Sequence, residues 1–415
     1  MAGQFISPAG DLERMFVDDY EMIDQYAKTG SLWLWGGNGN GSLGDNTNGN
    51  GSTVNSKSSP VQTISGGTNW KQIGVGGSGT FHTACIKTDG TLWLWGFNTS
   101  GQLGNNAILS RSSPIQTVSG GTNWKMVACG GFSTAAIKTD GTLWLWGINT
   151  LGVLGNNAIL SRSSPIQTVS GGTNWKQVSM SQYNCAAIKT DGTLWNWGGN
   201  SGGQLGDNTT IETSSPVQTV AGGTNWKQVS SGSSVGGASA TAAIKTDGTL
   251  WTWGNNLLYG QLGDGTVISK SSPVQTVSAG NNWEQVSMSQ SGCAAIKTDG
   301  TLWNWGIGDW GSLGDNTTVS KSSPVQTVAG GTNWKQVLRS YPTTLAIKTD
   351  GTLWTWGNNE YGQIGDNTIV NKSSPVQTVS AGTNWKMIGG GTATTGQGSL
   401  AAIYFYDAGN LYPSA

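Results

Sequence analysis

Residues able to carry out chemistry are few in this chain of 415 residues, and they do not cluster. His82 is the sole histidine, and Cys85, Cys129, Cys185 and Cys293 lie singly, with no CxxC spacing. A general base, a nucleophile or a zinc ligand set needs several such groups close together. The spacing therefore predicts no catalytic centre, a structural role for His82, and cysteines that act as small buried hydrophobes in a reducing compartment.

A second set of candidates is the aspartates of a recurring Gly-Asp-Asn or Gly-Asp-Gly sequence. Carboxylates in glycine-rich loops can bind calcium, but each of these loops supplies one carboxylate and lacks the spaced oxygen ligands of a dedicated site. Hydrogen bonding within a turn is the favoured interpretation, so we expect no metal and no cofactor. The aspartates are Asp45, Asp207, Asp264, Asp315 and Asp366.

The elements that position these residues follow from the motif Leu-Trp-x-Trp-Gly, which occurs seven times at intervals of 51 to 60 residues. A period of this size indicates one supersecondary unit stacked on copies of itself. Each copy reads as four short β-type runs separated by turn residues, as in residues 174–220. Asp191-Gly192 predicts a type I′ hairpin turn, and Pro216 suits an edge strand.

Four strands per unit, repeated radially, predict an all-β fold: a seven-bladed β-propeller with four-stranded antiparallel blades. The first motif copy lacks the preceding Asp-Gly turn, and the last Ala-Ala-Ile run, at 401–403, has no motif after it. We therefore expect strands within 31–64 to complete a seventh blade begun by 385–406, which closes the ring and protects its edges. The predicted division is an arm at 1–27, the propeller at 28–406 and a tail at 407–415.

Alternate connections of such a blade emerge on opposite faces of the ring. The Lys-Thr-Asp-Gly turns and the Gly-Gly-Thr-Asn links share one face and are nearly identical between copies, so we call it the constant face. The other two connections of each blade differ between copies and form the variable face. Diversified loops with aromatic residues on a rigid scaffold favour binding. The predicted contact residues are Phe81, Phe97, Phe132, Tyr183, Tyr259, Trp310, Arg339, Tyr341 and Tyr361.

The two tryptophans of each motif are two positions apart, so both point to one side of their strand. Packing between adjacent blades is favoured over a ligand-stacking stripe, and Trp195→Ala is expected to cost about 3–5 kcal/mol of stability. Trp310 is the exception, because it lies outside the repeated tryptophan positions. The predicted core includes Trp93, Trp95, Trp144, Trp146, Trp195, Trp197, Trp251 and Trp253.

Gly-Gln-Leu-Gly after Leu-Trp-x-Trp-Gly, with Ala-Ala-Ile-Lys-Thr-Asp-Gly before it, resembles the regulator of chromosome condensation repeat family of seven-bladed propellers. The resemblance covers roughly residues 28–406, whereas the kelch double-glycine pattern is missing. It implies guanine-nucleotide exchange on a small GTPase as one possible activity. The insertions at 37–57 and 231–241 are too rich in glycine and serine for the protruding wedge that exchange requires.

Charge is unevenly distributed along the chain. The net charge is −1, so bulk electrostatics predict no binding to nucleic acid and no attraction to acidic membranes. Residues 1–27 hold six acids against Arg14, and apolar residues recur among them at an irregular helical spacing. The start of the sequence has no basic segment followed by an apolar core, and no stretch is long enough to span a membrane, so we expect neither a signal peptide nor membrane insertion.

These features together predict a non-enzymatic binding or structural propeller. The main hypothesis is a virion-associated protein of a bacterial virus, decorating a tail or capsid. Residues 1–27 would dock on another protein subunit, and the variable face would bind a cell-surface protein or a glycan. The alternative is a protein-binding propeller that resembles either the exchange factors or the β-lactamase inhibitory propeller. The expected location is the virion if the gene is viral, and otherwise the cytoplasm.

Overall fold

A computed structural model describes residues 30–48, 55–76, 82–232, 239–277, 280–380, 382–390 and 399–405. The predicted arm at 1–27, the tail at 407–415 and Phe81 lie outside the described residues. No helix within the described ranges is long and apolar enough to cross a membrane.

The described chain forms seven four-stranded sheets, which are the blades of the predicted propeller. The first two strands are β1 (Gly30–Gly36) and β2 (Lys57–Gln62). Blade 1 contains β3 (Trp70–Val75), β4 (His82–Lys87), β5 (Leu92–Gly96) and β6 (Arg111–Gln116). Blade 2 contains β7 (Trp124–Cys129), β8 (Ser133–Lys138), β9 (Leu143–Gly147) and β10 (Arg162–Gln167). Blade 3 contains β11 (Trp175–Met180), β12 (Asn184–Lys189), β13 (Leu194–Gly198) and β14 (Thr213–Gln218).

The remaining blades repeat this order. Blade 4 contains β15 (Trp226–Ser231), β16 (Ala240–Lys245), β17 (Leu250–Gly254) and β18 (Lys270–Gln275). Blade 5 contains β19 (Trp283–Met288), β20 (Gly292–Lys297), β21 (Leu302–Gly306) and β22 (Lys321–Gln326). Blade 6 contains β23 (Trp334–Ser340), β24 (Thr343–Lys348), β25 (Leu353–Gly357) and β26 (Lys372–Gln377). The last strands are β27 (Trp385–Gly390) and β28 (Ser399–Phe405).

Strands from both ends of the described chain form blade 7, as predicted. Its strand order is β2-β1-β28-β27, and β1 pairs antiparallel with β28 from Gly30 opposite Phe405 to Gly36 opposite Ser399. The ring is therefore closed by a hydrogen-bonded ladder rather than by side-chain contacts alone. Such closure removes the open sheet edges that would otherwise pair with other chains.

The first strand of each blade lies at the centre of the ring, and the fourth lies at the rim. The first strands of neighbouring blades contact one another around the whole ring and line a central cavity of about 240 Å³. Around this cavity, side chains of one blade accept hydrogen bonds from backbone N–H groups of the neighbouring blade. Val229 N–H, for example, donates to Gln177 Oε1 at 3.0 Å, and Ser231 N–H donates to Ser179 Oγ at 2.9 Å. The fourth strands carry the prolines and have one paired edge, which fits the prediction for Pro216.

The tetrad tryptophans differ in burial although they share one side of their strand. The second of each pair is fully buried between blades, as Trp197 is, and its indole N–H donates 2.8 Å to Val153 O in the loop of the preceding blade. The first is half-buried, as Trp195 is, and donates to Thr193 Oγ1 on the constant face. The first members, among them Trp93, Trp144 and Trp251, thus pack against the core clusters while part of each side chain stays exposed.

The Asp-Gly turns are hairpin turns, but they are not type I′. Gly192 has φ of +79°, whereas none of the aspartates in these turns has a positive φ. Gly192 N–H donates to Lys189 O, and Lys189 N–H donates to Thr193 O, which gives a three-residue loop with the glycine in the left-handed position. Asp191 Oδ1 accepts from the N–H and the hydroxyl of Thr193. These two hydrogen bonds stabilise the turn, and the aspartate can form them without a left-handed backbone of its own.

Candidate binding site on the variable face

Aromatic residues on the variable face meet in pairs across blade boundaries. Phe97 of blade 1 and Phe132 of blade 2 have ring centroids 6.3 Å apart at 62°. Trp310 of blade 5 and Tyr341 of blade 6 have centroids 6.2 Å apart at 70°. In each pair the first residue follows the tryptophan motif of one blade, and the second follows the inner strand of the next. Edge-to-face pairs of this kind fix the rings relative to each other.

Exposure distinguishes one member of this group. Trp310 is 37% exposed, which makes it a tryptophan available to a partner. The other described aromatic residues predicted for this face are half-buried: Phe97, Phe132, Tyr183, Tyr259, Tyr341 and Tyr361.

A buried asparagine organises the loop between the third and fourth strands in six of the seven blades. In blade 3, Asn200 Nδ2 donates to Asp207 Oδ1, Thr209 O and Ile211 O, and Asn200 Oδ1 accepts from Leu205 N–H at 3.0 Å. This explains the Gly-Asp-Asn aspartates, whose carboxylates hold turns. No group of three or more potential metal ligands lies together in the described ranges. The equivalent asparagines are Asn38, Asn98, Asn149, Asn256 and Asn359.

The loop of blade 5 lacks this asparagine and carries Trp310. Gly308 occupies the asparagine position, and a Cβ there would lie 2.5 Å from the Val319 carbonyl carbon. The chain instead forms a short 3₁₀ turn, Asp309–Gly311, in which Trp310 has φ of 56° and ψ of 14°. A left-handed conformation is costly for a bulky side chain, and such outliers concentrate at functional sites.

The glutamine that supports this loop in blades 1, 3 and 6 is also absent from blade 5. In blade 6, Gln363 Oε1 accepts from Tyr361 N–H at 2.8 Å, and Gln102 and Gln204 do the same for their own loops. Blade 5 has Ser312 at the glutamine position. The loop that presents the exposed tryptophan is therefore the one in which both repeated side-chain supports are replaced.

Arg339 corrects an expectation from the sequence. It was predicted as a contact residue, but its side chain is 1% exposed and lies beneath the Trp310 turn. Its guanidinium donates to Ser312 O, to Ile307 O at 2.9 Å and to Thr344 Oγ1 at 2.7 Å. Burial away from water lowers the pKa of Arg339 to about 10, which leaves it charged at neutral pH. Two carbonyl and two hydroxyl oxygens accept from Nη1 and Nη2, whereas the buried Nε has no hydrogen-bond partner.

Tyr341 lies between Trp310, Asp309 and Tyr259 in this site. Burial raises the pKa of its hydroxyl to about 12, and the nearby Asp309 carboxylate and Tyr259 act in the same direction. Tyr341 is thus a neutral hydrogen-bond donor and acceptor under physiological conditions. Asp309 is exposed beside Trp310. The site combines an exposed indole, a phenol and a carboxylate at the boundary of blades 5 and 6, without a nucleophile and base arranged for catalysis.

The lysines of the Lys-Thr-Asp-Gly turns on the constant face lie over tryptophan rings. Lys189 Nζ lies 4.8 Å from the Trp175 ring centroid and 4.6 Å from that of Trp195. The lysines of the other five Lys-Thr-Asp-Gly turns have the same two tryptophan neighbours. These six cations are therefore engaged with aromatic faces.

Comparison with known proteins identifies the family. The sequence model of the RCC1-like domain matches residues 25–339, and the model of the regulator of chromosome condensation (RCC1) repeat matches residues 350–395. The chain belongs to the RCC1-like domain family. The ultraviolet-B receptor UVR8 of Arabidopsis thaliana is 30% identical over 309 residues, which cover 72% of this chain and 68% of UVR8. The RCC1 domain-containing mitochondrial protein RUG3 of the same plant is 27% identical, over 71% of this chain and 67% of RUG3.

The chain is also similar to part of a larger protein and to two solved structures. The human E3 ubiquitin-protein ligase HERC2 is 27% identical to 71% of this RCC1-like chain, but the match covers 6% of HERC2. Yeast RCC1 (Prp20), solved bound to Kap60, has a TM-score of 0.78 at 17% identity, covering 98% of this chain and 96% of that one. Human WBSCR16 has a TM-score of 0.75 at 18% identity, covering 91% and 99%. At these identities the two structures establish the fold and nothing finer.

Sequence reasoning missed two residues of this site. Gly308 was readable in principle, because it is the copy in which no asparagine follows the motif glycine by two positions. Ser312 is less distinctive, because Ser42 of blade 7 and Val153 of blade 2 also stand at the glutamine position. The structural effect of Gly308 and Ser312 follows from the hydrogen bonds that the asparagine and the glutamine make in other copies. Those hydrogen bonds are visible only in the structure.

Proposed function

We propose that this RCC1-like protein is a non-enzymatic binding module that captures a partner protein on its variable face, with the Trp310–Tyr341 pair at the centre of the contact. The family match supports protein binding in general, since RCC1-like propellers are typically regulators or binders. The observation that carries the site is the exposed Trp310 in a left-handed conformation, in the loop that has lost both repeated supports. Tryptophan and tyrosine are enriched among the residues that dominate protein interfaces.

The matches favour this alternative over a virion-associated role. The relatives named above are proteins of a plant and of human, and they give no support to a tail or capsid position. Docking through residues 1–27, and location in a virion or the cytoplasm, remain predictions from the sequence. Guanine-nucleotide exchange also remains an alternative within the family, and an exchange assay on purified small GTPases tests it directly.

The binding proposal is tested with a random peptide library selected on the immobilised full-length protein. Selected peptides are then measured by fluorescence anisotropy on wild type, Trp310→Ala and Leu109→Ala. Leu109 is a matched control because it is 63% exposed on the corresponding loop of blade 1. A central aromatic contact contributes about 2 kcal/mol or more, so Trp310→Ala is expected to weaken binding by about thirtyfold, with Leu109→Ala unchanged.

Failure to select any peptide counts against a protein-binding face, and so does binding that is insensitive to Trp310. A parallel glycan array separates the two partner classes expected from the sequence. Binding of a glycan that depends on Trp310, without any peptide binding, would replace the protein partner by a carbohydrate.

A further inference from the structure

The turn that carries Trp310 is held from outside its own loop. In blades such as blade 3, the loop is fixed internally by its asparagine and glutamine. In blade 5 both ends of the turn are instead fixed by a side chain of the next blade. Ile307 O precedes the turn and Ser312 O follows it, and the Arg339 guanidinium donates to both.

We infer that Arg339 is the positioning residue of the proposed binding site, holding the Trp310 turn in its display conformation from blade 6. This inference rests on the proposed function, which it deepens by naming how the contact residue is oriented. Arg339 is not itself a contact residue, because its side chain is buried. Its position corresponds to Met180 in blade 3 and Met288 in blade 5, where a thioether packs in the core.

A purely structural role does not explain the arginine. No described carboxylate forms an ion pair with it, and a buried charge without an acid partner is unfavourable for stability. Its removal also leaves no acceptor without a donor. Ser312 O still accepts from Thr344 Oγ1 at 3.0 Å and from Trp356 Nε1 at 3.1 Å, and Ile307 O still accepts from Ser312 Oγ at 3.1 Å. What the arginine adds is a rigid connection between the two ends of the turn.

The fork geometry of guanidinium explains why this residue type is needed. Ser312 O and Ile307 O lie five residues apart in sequence and are reached by two different nitrogens, Nη1 and Nη2. A planar group with several donors fixed relative to one another sets both the distance and the orientation between such acceptors. A methionine fills the same space but donates to neither carbonyl, which leaves the hydrogen bond from Ser312 Oγ to Ile307 O as the side-chain link between the two ends of the turn.

The experiment compares wild type, Arg339→Met and Met288→Ala by hydrogen exchange of the full-length protein. In wild type the turn holds its amides through Gly311 N–H to Gly308 O and Gly314 N–H to Gly311 O, both at 3.0 Å. For Arg339→Met we expect exchange in the segment 307–314 to be about tenfold faster, with other segments unchanged. The melting temperature is expected to stay equal or rise, because the buried charge is gone.

If Arg339 acts by positioning, the control variant Met288→Ala loses stability without a change in the Trp310 turn. Met288→Ala opens a cavity in the core, so it lowers the melting temperature but leaves exchange in 307–314 and peptide affinity unchanged. Arg339→Met is expected to weaken the Trp310-dependent peptides by about tenfold while Tm is maintained. Unchanged exchange and unchanged affinity in Arg339→Met overturn the inference, as does a loss of Tm with faster exchange throughout blade 6.

Failure of the proposed function is recognised separately. If no peptide binds through Trp310 in wild type, the binding site itself is wrong, whatever Arg339→Met does to the turn. The other outcome is that Trp310→Ala abolishes peptide binding while Arg339→Met keeps both the slow hydrogen exchange of the turn and the peptide affinity. That result supports the binding site and contradicts the positioning role of Arg339.

Discussion

Replacing the two tryptophans of one motif should have unequal effects, and blade 3 shows why. Trp197 is fully buried, packs at 6.1 Å against Trp175 and donates to Val153 O. No other described donor reaches that carbonyl, because Cys185 occupies the position where Thr134 of blade 2 donates to Gln102 O. Trp195 is half-buried, and its N–H donates to Thr193 at the surface, where water can replace it.

The magnitudes follow from burial. A tryptophan removes about 200 Å² from water, which corresponds to about 5 kcal/mol, and alanine recovers a small part of it. Trp197→Ala therefore loses about 4 kcal/mol, and the orphaned Val153 carbonyl adds about 1 kcal/mol. Trp195→Ala loses about half the apolar burial and the contact with Lys189, in total about 2 kcal/mol. The expectation of about 3–5 kcal/mol therefore belongs to the second tryptophan of the pair.

Urea unfolding of wild type and the two variants measures this difference. The transitions are followed by far-ultraviolet circular dichroism, because each variant lacks a tryptophan and its indole fluorescence is changed. We expect Trp197→Ala to shift the midpoint at least twice as far as Trp195→Ala. Equal shifts would refute the reasoning, because they would mean that exposure on the constant face does not reduce the contribution of the first tryptophan.

The other predictions follow from the loop supports and from the buried histidine. Asn200→Ala removes five hydrogen bonds and should cost about 2 kcal/mol, with faster exchange of Leu205 N–H; an unchanged Tm would contradict the role assigned to this asparagine. Burial lowers the pKa of His82 to about 3, so the folded state keeps it neutral while the unfolded chain binds a proton below about 6.5. Stability attributable to His82 is thus complete above pH 6.5 and falls by about 1 kcal/mol per unit as pH drops towards 3. His82→Ser, which copies Ser133 of blade 2, should flatten that part of the Tm profile, and parallel profiles would be the contrary result.

Much of the fold can be predicted from the sequence because the same strand and turn motifs occur seven times. A single Asp-Gly or Leu-Trp-x-Trp-Gly is weak, but recurrence at a near-constant period fixes strand number, blade number and the shared seventh blade. The turn type was wrong because Asp-Gly is compatible with two hairpin loops. The choice depends on Thr190 N–H, which donates to Asn174 O of the neighbouring link and is invisible in the local sequence.

The binding site was predicted less completely, for a related reason. Alternation of connections assigns Trp310 and Tyr341 to one face, but their ring contact appears only in the structure. The alternation says nothing about depth, and because arginine is seldom fully buried the sequence predicts a surface position for Arg339. Burial of Arg339 is possible here because the carbonyls of the blade 5 loop converge on it. The loop that supplies these carbonyls contains Gly308 and Ser312, and its path is visible only in the folded structure.

Binding through the Trp310–Tyr341 site is tested most directly by a hydrogen-exchange footprint of the full-length protein with a saturating selected peptide. We predict slower exchange in the segments covering 307–314 and 339–345, with the six Lys-Thr-Asp-Gly turns of the constant face unchanged. Protection confined to those turns, or to the rim of the ring, would contradict the assignment of binding to the variable face.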